Sequence, residues 1–197
     1  MVDVFKSKIE NYVKVSDAFY GELKRSCKPL SLKKNEILVQ HGGIYRKAFF
    51  LVNGSFKSSL LTPEGSLKTT WFYFDNLFNI IPIKDSFLSG KPTKYEVKAL
   101  EDSSLLELDA NTINAWLENY PEFNVFFRMD MINDFTLSEE IRTHLICYTK
   151  KDFLKYLQEK FPIIVSRTPA HALADFMGIT PEWYSKLKKD LAQPKDL

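Results

Sequence analysis

The sequence is poor in the residues that build most metal and redox sites. It contains two cysteines, Cys27 and Cys147, which are far apart and share no CxxC spacing. A disulfide framework, a zinc finger and an iron–sulfur cluster are therefore not supported. The three histidines, His41, His144 and His171, fall in three different predicted elements. A metal-dependent barrel enzyme would need histidines clustered with a carboxylate, so this class is not expected.

Other signatures are missing as well. The sequence contains no GxGxxG, P-loop or Ser/His/Asp pattern, so we expect no enzyme and no cofactor beyond an unknown small-molecule effector. No apolar run approaches the length of a membrane span. The first ten residues carry Asp3, Lys6, Lys8 and Glu10, which does not fit a signal peptide. We therefore expect a cytoplasmic protein that does not enter the membrane.

The composition is that of a globular protein, and its charge is unevenly distributed. The chain has 197 residues, of which 45% are apolar and 26% charged, and its net charge is +2. Residues 150–197 hold nine Lys/Arg against six Asp/Glu, a balance of +3, whereas residues 1–149 hold eighteen against nineteen, a balance of −1. A phosphate-binding module would have such a positive excess, although an ordinary solvated surface can also have it.

The most informative stretch is residues 168–189, which reads as two short helices joined by a sharp turn. Thr168 is expected to cap the first helix, with Pro169 at its first position. Gly178 permits the left-handed conformation that ends a helix, and Thr180 begins a second cap-plus-proline start. The apolar stripes are Leu173, Ala174 and Met177 in the first helix, and Tyr184, Leu187 and Leu191 in the second. This pattern predicts a helix-turn-helix, although an ordinary helical hairpin would share much of it.

The chain before this stretch predicts a helix followed by a barrel. Residues 3–24 have the apolar periodicity of one amphipathic helix. Short apolar runs separated by turn residues then follow, which predicts a small antiparallel β-barrel or jelly roll. The predicted strands are Ile37–Val39, Ala48–Val52, Phe56–Leu61, Leu67–Phe74, Tyr95–Leu100 and Ser104–Leu108. Val52–Ser55 and Thr62–Gly65 are tight-turn signatures that we expect to link antiparallel strands.

Helical periodicity returns after the barrel. Asp109 can cap a helix through Tyr120, and Pro121 restarts a helix that runs over residues 121–147. One apolar stripe of this long helix contains Phe127, Met131, Phe135, Ser138, Ile141 and Leu145, and a second contains Phe123, Phe126, Ile132 and Ile146. A barrel can cover only one side, so we expect a partner helix from a second copy and a homodimer. The alternative is a helix packed wholly within its own chain.

A further helix is predicted over residues 150–161, followed by a short extended connector over residues 162–167. The predicted boundary falls near Tyr148. It separates a sensor domain over residues 1–148, including the dimerisation helix, from a helix-turn-helix domain over residues 149–197. The expected fold class is thus α+β.

The order of barrel, long helix and helix-turn-helix resembles the Crp/Fnr family of bacterial transcription regulators nearly end to end. The stretches that carry the resemblance are Leu51–Ser55, Thr62–Gly65, Gly90–Leu100 and Ala174–Lys188. The resemblance implies a dimer that binds double-stranded DNA at a palindrome and senses a small ligand in its barrel. It also implies RNA polymerase as a partner if the protein is an activator.

The sequence departs from family members that bind cyclic AMP. Those members have a Gly-Glu pair, where this chain has Leu77–Ile81, and an Arg-Ser/Thr pair, where this chain has Thr93 and Lys94. A cyclic phosphate would lack its guanidinium here, so cyclic AMP is not expected. Lys94 can substitute as a point charge or be an ordinary surface lysine. The residues assigned to the ligand pocket are Phe78, Asn79, Ile80, Thr93, Lys94, Tyr95 and Ser138. Phe72, Phe74, Phe78 and Tyr95 can line an apolar pocket or be simple core.

The reading helix also departs from the family. Its first base-contacting arginine aligns with Pro181, whereas Glu182 and Lys186 align with its glutamate and second arginine and can contact base edges. The residues assigned to DNA are Thr168, Thr180, Glu182, Ser185, Lys186, Lys188 and Lys189. Ser185, Lys188 and Lys189 are expected to contact phosphates. Thr168 and Thr180, at helix N-termini, can offer backbone N–H groups to phosphates. Residues 192–197 are too few for a β-hairpin wing, so the wing is expected to be shortened or absent. The alternative function is a ligand-sensing or protein-docking barrel whose helix-turn-helix no longer reads DNA.

Overall fold

Two four-stranded antiparallel sheets face each other and form a jelly roll. The computed structural model describes residues 1–192, except for the side chains of residues 84 and 88. The strands are β1 Lys28–Leu32, β2 Ile37–Val39, β3 Lys47–Asn53, β4 Ser55–Leu61, β5 Leu67–Phe74, β6 Ile80–Pro82, β7 Tyr95–Ala99 and β8 Ser103–Asp109. The strand orders are β1-β8-β3-β6 in one sheet and β2-β7-β4-β5 in the other. The predicted barrel is therefore confirmed.

Helices precede, interrupt and follow the barrel. They are α1 Val2–Glu10, α2 Asp17–Ser26, α3 Lys84–Ser89, α4 Ala110–Asn119, α5 Pro121–Cys147, α6 Lys150–Lys160, α7 Pro162–Arg167, α8 Ala170–Met177 and α9 Pro181–Ala192. The predicted starts of two of them are confirmed: the Asp109 carboxylate caps α4 by accepting from the Asn111 N–H at 2.8 Å, and Pro121 occupies the first turn of α5. Across residues 1–192, no helix combines the length and apolarity needed to cross a membrane.

Two helix predictions were wrong. Residues 3–24 form two helices rather than one, because Ser16 begins α2: its Oγ accepts from the Phe19 N–H at 3.1 Å and stops the first helix from continuing. Residues 162–167 form the short helix α7 rather than an extended connector, because Pro162 at the first helical position is compatible with a helix start.

The two predicted turns have different roles. Thr62–Gly65 joins β4 to β5, which are antiparallel neighbours, and the Gly65 N–H donates to the Thr62 carbonyl at 2.9 Å. Val52–Ser55 was wrongly interpreted as a hairpin, since β3 and β4 lie in different sheets. Gly54 makes this corner with a φ of +114°, where a Cβ would lie 2.1 Å from the Oγ of Ser103. Only glycine allows the chain to change sheets so closely.

Two strands were not predicted from the sequence. β1 contains Pro29 and pairs with β8 on one side only, and β6 ends with Pro82 and pairs with β3 only. Both are edge strands, which is where proline is tolerated in a sheet. Because each contains a proline and is short, neither edge strand shows an apolar run of the kind that predicted the other strands.

The buried residues form two apolar clusters. One lies between the two sheets and continues without interruption into the helix-turn-helix. The other lies between the outer face of the β1-β8-β3-β6 sheet and helices α1, α2, α4 and α5, where the rings of Phe5 and Phe50 stack at 4.4 Å. The division into domains 1–148 and 149–197 stays a prediction: α5 ends at Cys147 and α6 begins at Lys150, yet the two parts share one cluster.

Candidate DNA-binding surface and barrel cavity

The turn between α8 and α9 has the expected construction. Gly178 adopts φ +68° and ψ +35°, and the Ile179 N–H donates to the Ala174 carbonyl at 3.0 Å, which satisfies the end of α8. The Thr180 Oγ1 accepts from the Trp183 N–H at 3.2 Å and caps α9. The predicted pair of helices around a glycine turn is therefore confirmed as structure.

Thr168 does not cap α8, contrary to the sequence prediction. The helix begins two residues later, at Ala170, and Thr168 is in an extended conformation, as expected for a residue before proline. The threonine is only 7% exposed, and its hydroxyl has no hydrogen-bond partner among residues 1–192. Its side chain is therefore withdrawn from the surface on which the other assigned residues lie.

Helix α9 has one buried face and one solvent face. Tyr184 and Leu187 are buried in the apolar cluster of the helix-turn-helix. The other assigned residues are exposed, namely Thr180, Glu182, Ser185, Lys186, Lys188 and Lys189. At 100° per residue, the face opposite Tyr184 and Leu187 contains four of them. These are Glu182, Ser185, Lys186 and Lys189. Lys188 lies between this face and the buried face. This face has the mixture of cationic and hydrogen-bonding groups that a nucleic-acid surface needs.

Two polar groups on this face are already engaged at short range. The Ser185 Oγ donates to the Pro181 carbonyl at 2.9 Å. Hydrogen bonds from its own backbone N–H and from the Thr180 hydroxyl lower the pKa of Glu182. The carboxylate is thus held near the positive end of α9, which favours an anion.

A cavity of about 500 Å³ lies between the barrel and the helices α5 and α8. The aromatic lining residues are Trp71, Tyr73, Phe78, Tyr95, Phe135 and Phe176. Hydroxyl groups come from Ser58, Thr70, Thr93 and Ser138. The charged lining residues are Asp134, Glu139 and Arg142. The aromatic walls come from the barrel, from α5 and, through Phe176, from α8. The volume is in the range of a small-molecule site.

The structure brings together most of the residues assigned to the ligand pocket. Phe78, Ile80, Thr93, Tyr95 and Ser138 line the cavity. Within the described part of the chain, Asn79 and Lys94 are not lining residues: Asn79 is buried and donates through Nδ2 to the Asp75 carbonyl at 3.2 Å, and Lys94 is exposed. Phe72 and Phe74 are plain core residues. That the lining residues bind a ligand stays a prediction.

A half-buried carboxylate lies beside Thr93. The Asp85 Oδ1 accepts from the Thr93 hydroxyl at 2.7 Å, and its Oδ2 accepts from the Lys94 backbone N–H at 2.8 Å. Although burial alone would raise the pKa of Asp85, these hydrogen bonds lower it below its ordinary value. A charged carboxylate therefore occupies the donors of this segment.

The helix-turn-helix is fastened to its own barrel by polar contacts. Arg167 makes a bidentate pair with Asp75, at 2.8 and 3.0 Å, and also binds Glu101 through Nε at 3.1 Å. On α8, Asp175 accepts from the Thr69 N–H at 2.6 Å and pairs with Lys68 at 3.2 Å. No feature of the sequence indicated these contacts.

The pKa values of the groups in these contacts are shifted. Burial alone would raise the pKa of Asp75, but hydrogen bonds from Arg167 and the Gly54 N–H lower it. Burial alone would also raise the pKa of Asp175, but hydrogen bonds from Thr69 lower it below its ordinary value. Hydrogen bonding to Asp75 raises the pKa of Arg167. All three groups are therefore charged when the helix-turn-helix is docked.

Helix α5 has an apolar face that its own chain leaves exposed. Ile132 is 56% exposed and Ile146 is 75% exposed. The second stripe predicted for α5 was partly wrong, because Phe123 and Phe126 are buried against α1 and α4 and do not share the exposed face of the two isoleucines. Met131 and Phe135 of the first predicted stripe are exposed as well, so the open apolar face combines parts of both stripes.

The prediction that the wing after α9 is shortened or absent concerns residues 193–197, which lie outside the described residues. Among the described side chains, no group of three His, Cys, Asp or Glu is arranged to hold a metal ion.

Residues 29–120 match the family model of the cyclic nucleotide-binding domain. A comparison with curated proteins by sequence found no match. Among solved structures, the chain is similar to FixK2 from Bradyrhizobium japonicum, with 16% identity, a TM-score of 0.65 and 84% of each chain covered. It is also similar to the c-di-GMP-responsive regulator CLP from Xanthomonas campestris, with 10% identity, a TM-score of 0.68 and coverage of 89% of this chain and 91% of that one. A third is a putative Crp/Fnr-family regulator from Eubacterium rectale, with 14% identity, a TM-score of 0.66 and coverage of 90% and 83%. These similarities establish that barrel, long helix and helix-turn-helix share one fold with those proteins.

Proposed function

We propose that this chain, which combines a cyclic nucleotide-binding domain with the fold of the Crp/Fnr regulators, is a dimeric DNA-binding transcription regulator. The observation that carries the proposal is the solvent face of α9, where Ser185, Lys186 and Lys189 lie together with Glu182. Helix α9 is capped, anchored by its buried face and free on the side that would enter a major groove.

The proposed DNA contacts follow from the chemistry of this face. Lys186 can donate to the guanine O6 and N7 acceptors, and Glu182 can accept from a cytosine amino group after leaving the helix terminus. Ser185, Lys188 and Lys189 would contact phosphates, and the Thr180 end of α9 offers backbone N–H groups. Buried Thr168 is not part of the proposed surface.

The proposed dimer rests on the exposed face of α5. Its residues repeat at alternating intervals of four and three, which is the spacing of a two-stranded coiled coil. They are Met129, Ile132, Thr136, Thr143 and Ile146, which are exposed, and Val125 and Glu139, which are half-buried. A second copy presents the same face to the first, and a twofold pair of α9 helices would then read two half-sites of a palindrome.

The barrel is proposed to sense a ligand other than cyclic AMP. Beside Thr93, the position of the family's phosphate-binding arginine, the donors already bind the Asp85 carboxylate. A cyclic phosphate would have to displace this carboxylate and lie next to its negative charge, with no arginine at that position to compensate. We therefore expect no thermal stabilisation by cyclic AMP at concentrations that stabilise a protein that binds it.

Selection from a randomised duplex library, followed by fluorescence anisotropy on the enriched sequence, tests the proposal. We expect a palindromic consensus and a linear log–log salt dependence with a slope of about −0.9 per phosphate contacted. Lys186→Ala should weaken binding to the consensus by about 1–3 kcal/mol and much less to unrelated duplexes. The exposed Lys14→Ala, in the loop between α1 and α2, is the matched control and should change neither.

Other outcomes have definite meanings. Equal loss on every duplex would make Lys186 a phosphate contact rather than a base-reading residue. No binding at low salt, or no enrichment of any sequence, would contradict DNA reading and favour the alternative function, a ligand-sensing or protein-docking module.

A further inference from the structure

One wall of the barrel cavity belongs to the helix-turn-helix. Phe176 lies on α8, yet it lines the cavity together with Trp71 of β5, and the two ring centroids are 6.2 Å apart in an edge arrangement. The Phe176 ring also packs edge-on against Phe72 at 5.3 Å. A molecule inside the cavity would therefore touch the domain that carries α9.

The other walls indicate the chemistry of that molecule. Aromatic rings line the cavity from the barrel and from two helices, so a flat aromatic molecule could stack in several orientations. The hydroxyls of Thr93 and Ser138 can fix one or two polar atoms.

The charges of the cavity oppose an anion. The Arg142 guanidinium in the lining is already paired with the Glu139 carboxylate. Behind Thr93, the Asp85 carboxylate places a negative charge at the cavity wall. A ligand with an acidic group would meet repulsion without a free cation from the lining residues to balance it.

We propose that the cavity binds a planar aromatic molecule without negative charge, and that Phe176 is a ligand-contacting residue through which occupancy acts directly on α8. The effect on DNA rests on the function proposed above, but binding and its effect on α8 do not. Leu173 and Met177 of the same helix are buried in the apolar cluster that also contains Tyr184 and Leu187 of α9, so a displacement of α8 is transmitted to α9. A ligand shifts this arrangement only as far as its affinities for the docked and displaced positions of α8 differ.

A pair of fluorescent probes tests the charge preference in the full-length protein. Phenylnaphthylamine is uncharged, and anilinonaphthalene sulfonate has the same rings with one negative charge. We expect phenylnaphthylamine to bind with fluorescence enhancement and at least about tenfold more tightly than the sulfonate, because the carboxylates repel the latter. Equal binding of the two probes, or tighter binding of the sulfonate, would overturn the proposed ligand class.

The role of Phe176 is tested with three variants. Phe176→Ala should weaken phenylnaphthylamine binding roughly three- to tenfold, since an aromatic contact is lost, and Phe176→Leu should fall between it and the wild type. Phe127→Ala removes a half-buried ring of α5 outside the cavity and should leave the affinity unchanged. Equal affinity of all four proteins would refute ligand contact by Phe176.

Hydrogen exchange separates transmission from binding. Each protein is compared with and without saturating phenylnaphthylamine. The probe should change the exchange rates of the α8 amides in the wild type and in Phe127→Ala, and should leave them unchanged in Phe176→Ala. The same change in all three proteins would overturn coupling through Phe176. A protein that binds the probe and responds in α8, yet selects no DNA sequence, would refute the proposed function and leave this inference standing.

Discussion

Arg167 is the residue whose removal should most directly release the helix-turn-helix from its barrel. Its guanidinium binds both carboxylate oxygens of Asp75 and reaches Glu101, so one side chain at the end of α7 joins two barrel segments. Arg167→Met keeps most of the apolar stem and removes the charged fork, whose Cζ also lies 5.8 Å from the centre of the Phe74 ring. The variant therefore tests the contacts of the guanidinium and not the packing of the stem.

The magnitude follows from the burial of the pair. The Arg167 side chain is 27% exposed and the Asp75 side chain 20% exposed, so the pair lies between the exposed and the buried case. Exposed pairs contribute about 0–1 kcal/mol, and breaking a buried pair costs about 3–5 kcal/mol. We expect Arg167→Met to cost about 2 kcal/mol in the opening free energy of α8, which corresponds to about 30-fold faster amide exchange.

Hydrogen exchange measures this directly, with the amides of α1 as an internal control because α1 packs in the other apolar cluster. A double-mutant cycle with Asp75→Asn should give a coupling energy of at least about 1 kcal/mol. If the coupling stays under about 0.5 kcal/mol, or if α1 and α8 exchange accelerate equally, Arg167 does not fasten the helix-turn-helix to the barrel and the reasoning is refuted.

Three further outcomes are expected. Gly54→Ala should lower the free energy of unfolding by about 3 kcal/mol in urea melts, because it adds a clash to backbone strain, whereas Gly65→Ala, whose Cβ would meet nothing within 4 Å, should cost about 1 kcal/mol. Ile132→Asp should make the protein monomeric by analytical ultracentrifugation, and Ile44→Asp, at an equally exposed isoleucine in a loop, should not. The pKa of Asp175 is lowered in the folded protein, so its stabilisation is complete above its ordinary pKa of 3.8 and is lost as pH falls below it. The stability difference between wild type and Asp175→Asn should therefore shrink between pH 5 and about pH 3; a constant difference would contradict this role.

The sequence alone determined the elements that depend on local chemistry. Gly178 and Thr180 placed the turn and the cap of the helix-turn-helix, because only local backbone conformation and one nearby N–H are needed there. Likewise, Pro121 marked the start of the long helix, and short apolar runs between turn residues marked the central strands. The solvent face of α9 could be predicted from helical spacing, because the buried residues Tyr184 and Leu187 fix which side of the helix faces the core.

Only the tertiary structure decided which distant residues meet. No local pattern encodes the pairing of Arg167 with Asp75, the position of Phe176 in the cavity wall or the contact of the Asp85 carboxylate with Thr93. The burial of Thr168 depended in the same way on the packing of α7 and α8 and not on its cap-like sequence. Local rules fix the conformation of a few neighbouring residues, whereas the packing of the helix-turn-helix against the barrel is a global property of the folded chain.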